Sequence, residues 1–239
     1  MNITFGIITT EGSERKISII LSSIAANKIP PENFEILIIG NVPKPEPSVF
    51  EPYIPSENIK IIPFNENIKD KWITKKKNLI TDNAKYENVV YMHDYIIFHP
   101  EWYKNLNNYK NPWKIMMNQI LNADNTRFRD WVLWTEGNDD NPYCKDWKKI
   151  LLPYETKNLS KFMYISGAFW LAKKSVMEEF PLNEDLCWGD GEDVEWSLRV
   201  REKYDFSINE KCIVKTLKQK YCDSLLANLE LINEKANSV

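Results

Sequence analysis

The sequence lacks the residue clusters from which metal sites and disulfide frameworks are built. Its two histidines are His93 and His99, and its four cysteines show no C-x-x-C spacing. Scattered thiols without metal-ligand spacing are typical of buried cysteine in a reducing compartment. A chain of 239 residues also buries roughly 70–75% of its unfolded surface, so it needs no disulfides for stability.

The sequence also lacks an excess of positive charge and long apolar runs. Lysine and arginine number 31 against 34 aspartates and glutamates, a net charge of −3, so no basic face for nucleic acid is expected. No apolar run approaches the roughly 18 residues of a membrane span. The opening residues "NITFGIITT" lack the basic region of a signal peptide. We therefore expect a cytoplasmic protein that binds no nucleic acid and has no membrane span, with peripheral membrane association left open.

Aromatic residues, in contrast, are abundant, with nine Trp, eleven Tyr and ten Phe. Many of them lie in the polar, Asn-rich stretch 104–160. Large rings are mostly buried for their area, but among polar groups they also serve as platforms on which a base or a sugar stacks. This stretch therefore contributes either satellite core or a stacking surface.

Short apolar segments alternate with helical segments in the first half of the chain. Runs rich in β-branched residues predict strands at 3–9, 34–40, 59–64 and 88–94. Ser13 is expected to cap a helix whose apolar stripe is formed by Ile17, Ile20, Leu21 and Ile24. A second helix is predicted over 69–84. Continuous apolar strands separated by helices indicate a mostly parallel sheet covered on both faces.

The second half is less regular, and no linker divides it from the first. The predicted elements are strands at 113–120, 130–134, 164–172 and 212–217, and helices at 173–180, within 186–204 and at 223–235. The last helix carries Leu225, Leu226, Leu229 and Ile232. We therefore expect one α/β domain over residues 1–239.

Two acidic motifs stand out against this pattern. His93-Asp94-Tyr95 ends a strand otherwise built for burial, and ligands bind beyond the carboxyl ends of strands in parallel sheets. In "WGDGEDVEW", residues 188–196, a Trp and two glycines precede three carboxylates in the first turn of a helix. A ring beside acids is a common way to hold a sugar and to deprotonate its hydroxyl. Structural explanations are that Asp94 caps a turn and that the later acids satisfy the helix dipole.

Together these segments resemble the GT-A fold glycosyltransferases, most closely the family 2 type. The resemblance rests on "ITFGIIT", "FEILIIGN", "KKKNLI", "YMHDYI", "ISGAFWLAKKSV" and "WGDGEDVEWSLR", in that order. It covers about residues 2–103 and 163–217, and the W-G-x-G-E-D segment is similar to that of galactosyltransferase-type enzymes. It implies a GT-A (Rossmann-like) fold with a nucleotide-binding half, 1–103, an acceptor-binding and catalytic half, 104–217, and a C-terminal helix, 218–239.

The resemblance also implies donor-binding residues. The end of the first strand, Thr9 and Thr10, would line the nucleotide pocket through backbone groups, and Asn41 stands where the family often has an Asp that reads the base. Lys77 would approach the diphosphate, while Lys75 and Lys76 fit a solvated helix face equally well. Gly167 would let the backbone pass close to the donor sugar, although small residues there also suit plain sheet packing.

His93, Asp94 and Tyr95 match the D-x-D region of the family. Asp94 would contact the ribose, and it is also the candidate ligand for the Mn²⁺ or Mg²⁺ that the family uses. Tyr95 stands where the usual metal-binding Asp lies, and a neutral phenol is a poor ligand for a hard cation. Lys215 lies near the place of a further metal-binding His. We therefore expect weak or absent metal dependence, with Lys215, helped by Lys77 or His93, balancing the leaving diphosphate.

For catalysis, the resemblance implies Asp193 as the general base of an inverting hexosyltransferase. Glu192 would hold an acceptor hydroxyl, and Trp188 and Gly189 would contact the acceptor. The expected donor is a nucleotide-diphosphate sugar, with UDP favoured, and the expected acceptor is a carbohydrate, as in polysaccharide biosynthesis.

Two other functions stay open at this point. The D-x-D departure also fits a non-catalytic sugar- or nucleotide-binding module on the same fold. A nucleotidyltransferase shares the alternating architecture, but it would need a phosphate loop rich in glycine and arginine after the first strand. The segment "TTEGSERK" has one glycine, so this function is disfavoured.

Overall fold

A mixed eight-stranded sheet forms the centre of the protein. A computed structural model describes residues 1–45, 53–134, 149–155, 163–219 and 225–226. The strands are β1 (Ile3–Ile8), β2 (Phe34–Ile39), β3 (Ile59–Ile62), β4 (Asn88–His93), β5 (Ile96–Phe98), β6 (Ile115–Leu121), β7 (Val132–Trp134), β8 (Lys149–Leu151), β9 (Met163–Tyr164), β10 (Phe169–Lys173), β11 (Phe206–Thr216) and β12 (Leu225–Leu226). The helices are α1 (Glu14–Ala25), α2 (Ile73–Asn83), α3 (Trp102–Asn107), α4 (Lys174–Glu179) and α5 (Glu192–Val200). None of the helices in the described ranges is both long and apolar enough to cross a bilayer.

The order of the central sheet is β3-β2-β1-β4-β10-β6-β11-β5. Strands β3, β2, β1 and β4 are parallel, β10 runs antiparallel to both of its neighbours, β11 is parallel to β6, and β5 is antiparallel to β11. A smaller sheet has the order β12-β8-β7-β9. The predicted mostly parallel α/β architecture is therefore confirmed, with β10 and β5 as the reversed strands.

Local sequence patterns explain the first half of this sheet. All six residues of β1 are buried, as a run of apolar and β-branched residues requires in a sheet covered on both faces. The predicted stripe of α1 is confirmed, since Ile17, Ile20, Leu21 and Ile24 are each at most 1% exposed. Ser13 is the N-cap residue of α1, as predicted, but its side chain makes no capping hydrogen bond; its Oγ instead accepts a hydrogen bond from Lys16 Nζ at 3.4 Å.

Three predicted elements need correction. The segment 164–172 is two strands in two different sheets, because a turn closed by Phe169 N–H donating to Ser166 O at 3.1 Å divides it. Helix α2 begins at Ile73 rather than at 69. The predicted C-terminal helix was wrong at Leu225–Leu226, which pair with β8, while 218–219 form no helix and the rest of 218–239 lies outside the described residues.

The topology brings the acidic motifs to one edge of the sheet. Strands β1 and β4 are parallel neighbours, so Thr9 and Asp94 follow their carboxyl ends side by side. Strand β10 runs the opposite way, so the Ser166–Ala168 turn that precedes it reaches the same edge, where His93 N–H donates to Ala168 O at 3.2 Å. The division into nucleotide-binding and acceptor-binding halves stays a prediction.

Candidate active site

Two adjoining cavities lie at this edge of the sheet. The carboxylate cavity has a volume of about 310 Å³ and is lined by residues that include Arg129, Tyr164, Gly167, Gly189, Glu192 and Asp193. The lysine cavity has a volume of about 470 Å³ and is lined by residues that include Thr9, Lys16, Lys71, Lys76, Asp94 and Lys218. His93, Tyr95 and Trp188 line both cavities, so they form a common wall.

Tyr95 lies between the two acidic motifs, because it lines both cavities. Burial raises the pKa of its phenol, and the negative charge of Asp94, followed by those of Glu192 and Asp193, raises it further. The phenol therefore interacts electrostatically with carboxylates that are about a hundred positions apart in sequence, and its raised pKa keeps it neutral. The ring of His93 stacks on that of Tyr95 with centroids 5.2 Å apart.

Asp193 is held in the carboxylate cavity by backbone donors. Gly167 N–H donates to its Oδ2 at 2.8 Å, and Val194 N–H donates to its Oδ1 at 2.9 Å. Asp193 is the second residue of α5, which begins after Gly191 at a φ of 75°, a conformation that favours glycine. The carboxylate is therefore fixed in orientation while it faces the cavity.

Glu192 is buried beside Asp193 and has a buried cation behind it. Burial raises the pKa of the Glu192 carboxyl, and the ammonium of Lys77, 3.6 Å from Oε1, partly opposes that shift. Lys77 is fully buried, which lowers its pKa, and its Nζ donates to Gly167 O at 3.0 Å and lies 4.7 Å from the ring centroid of Trp170. Lys77 thus supports both the turn at Gly167 and the carboxylate of Glu192.

Gly167 is required at its position by the two carboxylates. A Cβ added there would lie 2.9 Å from Asp193 Oδ2 and 3.0 Å from Glu192 Oε1. We expect Gly167→Ala to displace these carboxylates and lower turnover, with a loss of unfolding free energy of about 1–3 kcal/mol because of overpacking. Turnover assays and urea denaturation measure the two effects. Wild-type turnover in this variant would show that the close approach has no role.

Asp94 lies in the lysine cavity and is also bonded to the end of β1. Thr9 Oγ1 donates to Asp94 Oδ2 at 3.0 Å, and Lys16 Nζ, from the first turn of α1, lies 3.3 Å from the same oxygen. Thr9 O in turn accepts a hydrogen bond from Lys76 Nζ at 2.8 Å. These contacts connect α1, α2 and the ends of β1 and β4 around one cavity.

The exposed ring of Trp188 stands at the junction of the cavities. It is 57% exposed, yet its backbone is fixed, since Trp188 N–H donates to Lys71 O at 3.0 Å. Lys71 Nζ lies 5.8 Å from the ring centroid. A solvent-facing indole beside two carboxylates, on a backbone that is held in place, is suited to stacking on an apolar ring face.

A divalent metal does not fit these residues. In the described part of the chain, no group of three His, Cys, Asp or Glu side chains is placed to hold a metal ion on its own. Asp94 already has a lysine as its partner, and Tyr95 offers a neutral phenol where Mn²⁺ or Mg²⁺ would need a carboxylate oxygen.

The structure brings most of the predicted site residues together. Those that line one or both cavities are Thr9, Thr10, His93, Asp94, Tyr95, Gly167, Trp188, Gly189, Glu192 and Asp193. The roles assigned to them stay predictions.

Three predicted donor residues line neither cavity. The Asn41 amide pairs with the backbone of Phe64, donating to its O at 2.8 Å and accepting from its N–H at 3.1 Å. Lys77 lies behind the carboxylate cavity, and Lys215 Nζ donates to Asn125 Oδ1 at 2.7 Å. The donor-contact roles expected of Asn41, Lys77 and Lys215 therefore have no geometric support.

Five cations that line the cavities were missed. Lys16, Lys71, Lys76 and Lys218 line the lysine cavity, and Arg129 lines the carboxylate cavity. Lys16 could have been found from the sequence, because it precedes the apolar Ile17 in the first turn of the helix that follows the first strand. Arg129 could not, since it lies in an irregular segment.

The chain is similar to known proteins in structure but not in sequence. No protein-family model matches the chain, and no curated protein matches it. A crystal structure of S. aureus TarS superposes with a TM-score of 0.61 at 13% identity, covering 91% of this chain and 37% of TarS. TarS 1–349 in complex with UDP-GlcNAc superposes with a TM-score of 0.60 at 13% identity, covering 93% of this chain and 60% of the TarS chain. TarS 1–349 in complex with UDP superposes with a TM-score of 0.55 at 13% identity, covering 98% of this chain and 63% of the TarS chain.

These likenesses show the fold of the chain. It is a mixed α/β glycosyltransferase-type fold with a curled eight-stranded sheet flanked by helices. The chain spans less than two-thirds of each of these TarS structures. The fold implied by the resemblance is therefore confirmed, whereas the family 2 assignment and the galactosyltransferase-type motif stay predictions.

Proposed function

We propose that the chain is an inverting glycosyltransferase that moves a sugar from a nucleotide-diphosphate donor, favoured to be a UDP-sugar, to a carbohydrate acceptor. The observation that carries this proposal is the common wall of His93, Tyr95 and Trp188 between a lysine-rich cavity and a carboxylate cavity. One cavity suits an anionic donor and the other suits a hydroxyl that must lose a proton.

The lysine cavity is the proposed donor site. It lies beyond the carboxyl ends of β1 and β4, where ligands bind in open α/β sheets. Asp94 would accept a hydrogen bond from a ribose hydroxyl, and Thr9 and Thr10 would border the nucleotide. The TarS complexes with UDP and UDP-GlcNAc support a UDP-sugar as the co-substrate.

The carboxylate cavity is the proposed acceptor and catalytic site. The acceptor oxygen attacks the anomeric carbon as Asp193 takes its proton, and the electron pair of the breaking bond goes to the phosphate oxygen of the leaving group. One in-line displacement inverts the anomeric configuration. Gly167 N–H orients Asp193, and Glu192 holds an acceptor hydroxyl. Such a base must lie within hydrogen-bond reach of the proton that it removes.

Release of UDP from a panel of UDP-sugars, with and without carbohydrate acceptors, tests the proposed activity. We expect acceptor-dependent UDP release with at least one donor. If UDP-sugars bind but no acceptor stimulates release, the chain is a binding module on this fold and the proposed activity is wrong. The scattered cysteines favour action in a reducing compartment, which we propose is the cytoplasm.

Trp188→Ala should separate ligand binding from folding. Because the ring is 57% exposed, we expect the unfolding free energy to change by less than about 0.5 kcal/mol. Loss of a sugar-stacking surface should lower transfer efficiency roughly tenfold, equivalent to about 1.4 kcal/mol. The control is Ile68→Ala, which removes a 67% exposed apolar side chain outside both cavities. Equal activity in the two variants would remove Trp188 from the site.

A further inference from the structure

The lysine cavity contains more positive than negative side chains. Three carboxylates line it, and each has a lysine partner that also lines it: Lys16 with Asp94 at 3.3 Å, Lys71 with Asp70 at 3.7 Å, and Lys76 with Glu66. The fourth lysine, Lys218, has its Nζ 5.5 Å from the ring centroid of Tyr95. The cavity therefore has four ammonium groups against three carboxylates.

This arrangement disfavours a divalent cation and favours an anion. A metal ion that approached Asp94 would have to displace the ammonium of Lys16 and then remain among three other lysines. A phosphate group, in contrast, gains charge-assisted hydrogen bonds from the same ammonium groups without displacing a cation.

We propose that the lysine cavity binds the diphosphate of the donor directly through lysine ammonium groups, with Lys16 as the principal contact and no divalent metal between them. The inference rests on the proposed function for the identity of the ligand. It transfers to Lys16 and its neighbours the charge-balancing role that the family resemblance implied for Lys215.

Lys16 is the principal contact because it is both accessible and held in place. Its side chain is 38% exposed, whereas that of Lys76 is 3% exposed and is engaged by Glu66 and Thr9 O. Lys16 is anchored on α1 directly after the end of β1, where Ser13 Oγ accepts its hydrogen bond at 3.4 Å. A phosphate entering the cavity can bond to Lys16 while Thr9 continues to hold Asp94.

Calorimetric titration in EDTA with two probes, UDP and inorganic pyrophosphate, tests this inference. We expect both to bind in EDTA, and added Mn²⁺ or Mg²⁺ not to tighten binding. Lys16→Met should weaken both probes roughly 10- to 100-fold, the value of a hydrogen bond to a charged group. Uridine, which has no phosphate, should bind wild type and variant equally. Lys203→Met is the control, because it removes a lysine paired with Glu179 outside both cavities.

The outcomes separate this inference from the proposed function. UDP binding that appears only with Mn²⁺ or Mg²⁺, or equal affinities in Lys16→Met and Lys203→Met, would overturn the inference and leave the transferase proposal standing. Tight metal-free binding of UDP without sugar transfer to any acceptor would overturn the transferase proposal and support the inference. Absence of binding by both probes in every condition would overturn the two together.

Discussion

Asp193→Asn is expected to lower the rate of sugar transfer about 10²–10⁴-fold, the usual contribution of a positioned base, with donor affinity unchanged. An amide of the same shape keeps one of the two backbone hydrogen bonds that hold Asp193, from Gly167 N–H at 2.8 Å or from Val194 N–H at 2.9 Å, because only its oxygen accepts. It cannot take the proton of the acceptor hydroxyl. Single-turnover assays of transfer and titration with UDP measure the two effects separately.

Glu195→Gln is the matched control for this variant. Glu195 lies in the same first turn of α5, but its carboxylate pairs with Arg199 at 2.6 Å and lines neither cavity. We expect the control to retain wild-type turnover. Near-normal turnover in Asp193→Asn would remove Asp193 from the role of base, and equal losses in both variants would attribute the effect to α5 rather than to the proton transfer.

Lys77→Met is expected to cost about 3–5 kcal/mol of unfolding free energy, because it breaks a buried ion pair and leaves one partner uncompensated. The variant leaves Glu192 buried without its cation and removes the donor to Gly167 O. Methionine fills a similar volume, so the loss reports the charge and the hydrogen bond rather than a cavity. Urea denaturation measures it.

Two further variants test the cause of that loss. Lys75→Met removes the neighbouring lysine, which is partly exposed and pairs with Glu184 at 3.0 Å, and it should cost only about 0–1 kcal/mol. Adding Glu192→Gln to Lys77→Met removes the uncompensated charge and should recover part of the stability. If the double variant is no more stable than Lys77→Met, the buried charge is not the reason for the loss.

The first half of the sheet could be predicted because its signals are local. Strands β1, β2 and β4 are continuous apolar runs, and α1 has its buried side chains at helical spacing. Strands β9 and β10 could not be separated in the same way. The run 164–172 is largely apolar, and its small residues Ser166 and Gly167 also suit plain sheet packing. Its division depends on which of two sheets each part joins, and that depends on segments distant in sequence.

The directions of the three lysine side chains in α2 could not be assigned from the lysine run itself. At about 100° per residue, Lys75, Lys76 and Lys77 point in three directions. Lys75 reaches Glu184, Lys76 enters the lysine cavity and Lys77 enters the core. Three identical residues do not reveal their own orientations. The apolar residues Ile73 and Ile80 indicate which face of α2 is buried. Lys77 lies four residues after Ile73 and three before Ile80, so it shares that buried face.

The positions of the candidate residues could be predicted where they depend on sheet topology but not where they depend on how far a side chain reaches. Asp94 and Gly167 follow from their positions beside β4 and β10. Asn41 and Lys215 were placed by resemblance alone, and each has a partner elsewhere, Phe64 and Asn125 respectively. No local sequence pattern predicts these two hydrogen-bonded pairs, because they depend on how distant strands and loops pack together.

The most direct test of the account is a crystal structure of the chain with an intact UDP-sugar. We predict the diphosphate in the lysine cavity beside Lys16, the sugar near the ring of Trp188, and the anomeric carbon facing the carboxylate cavity that contains Asp193. A nucleotide-sugar bound on another surface, or in the lysine cavity with its sugar directed away from Asp193, would contradict it.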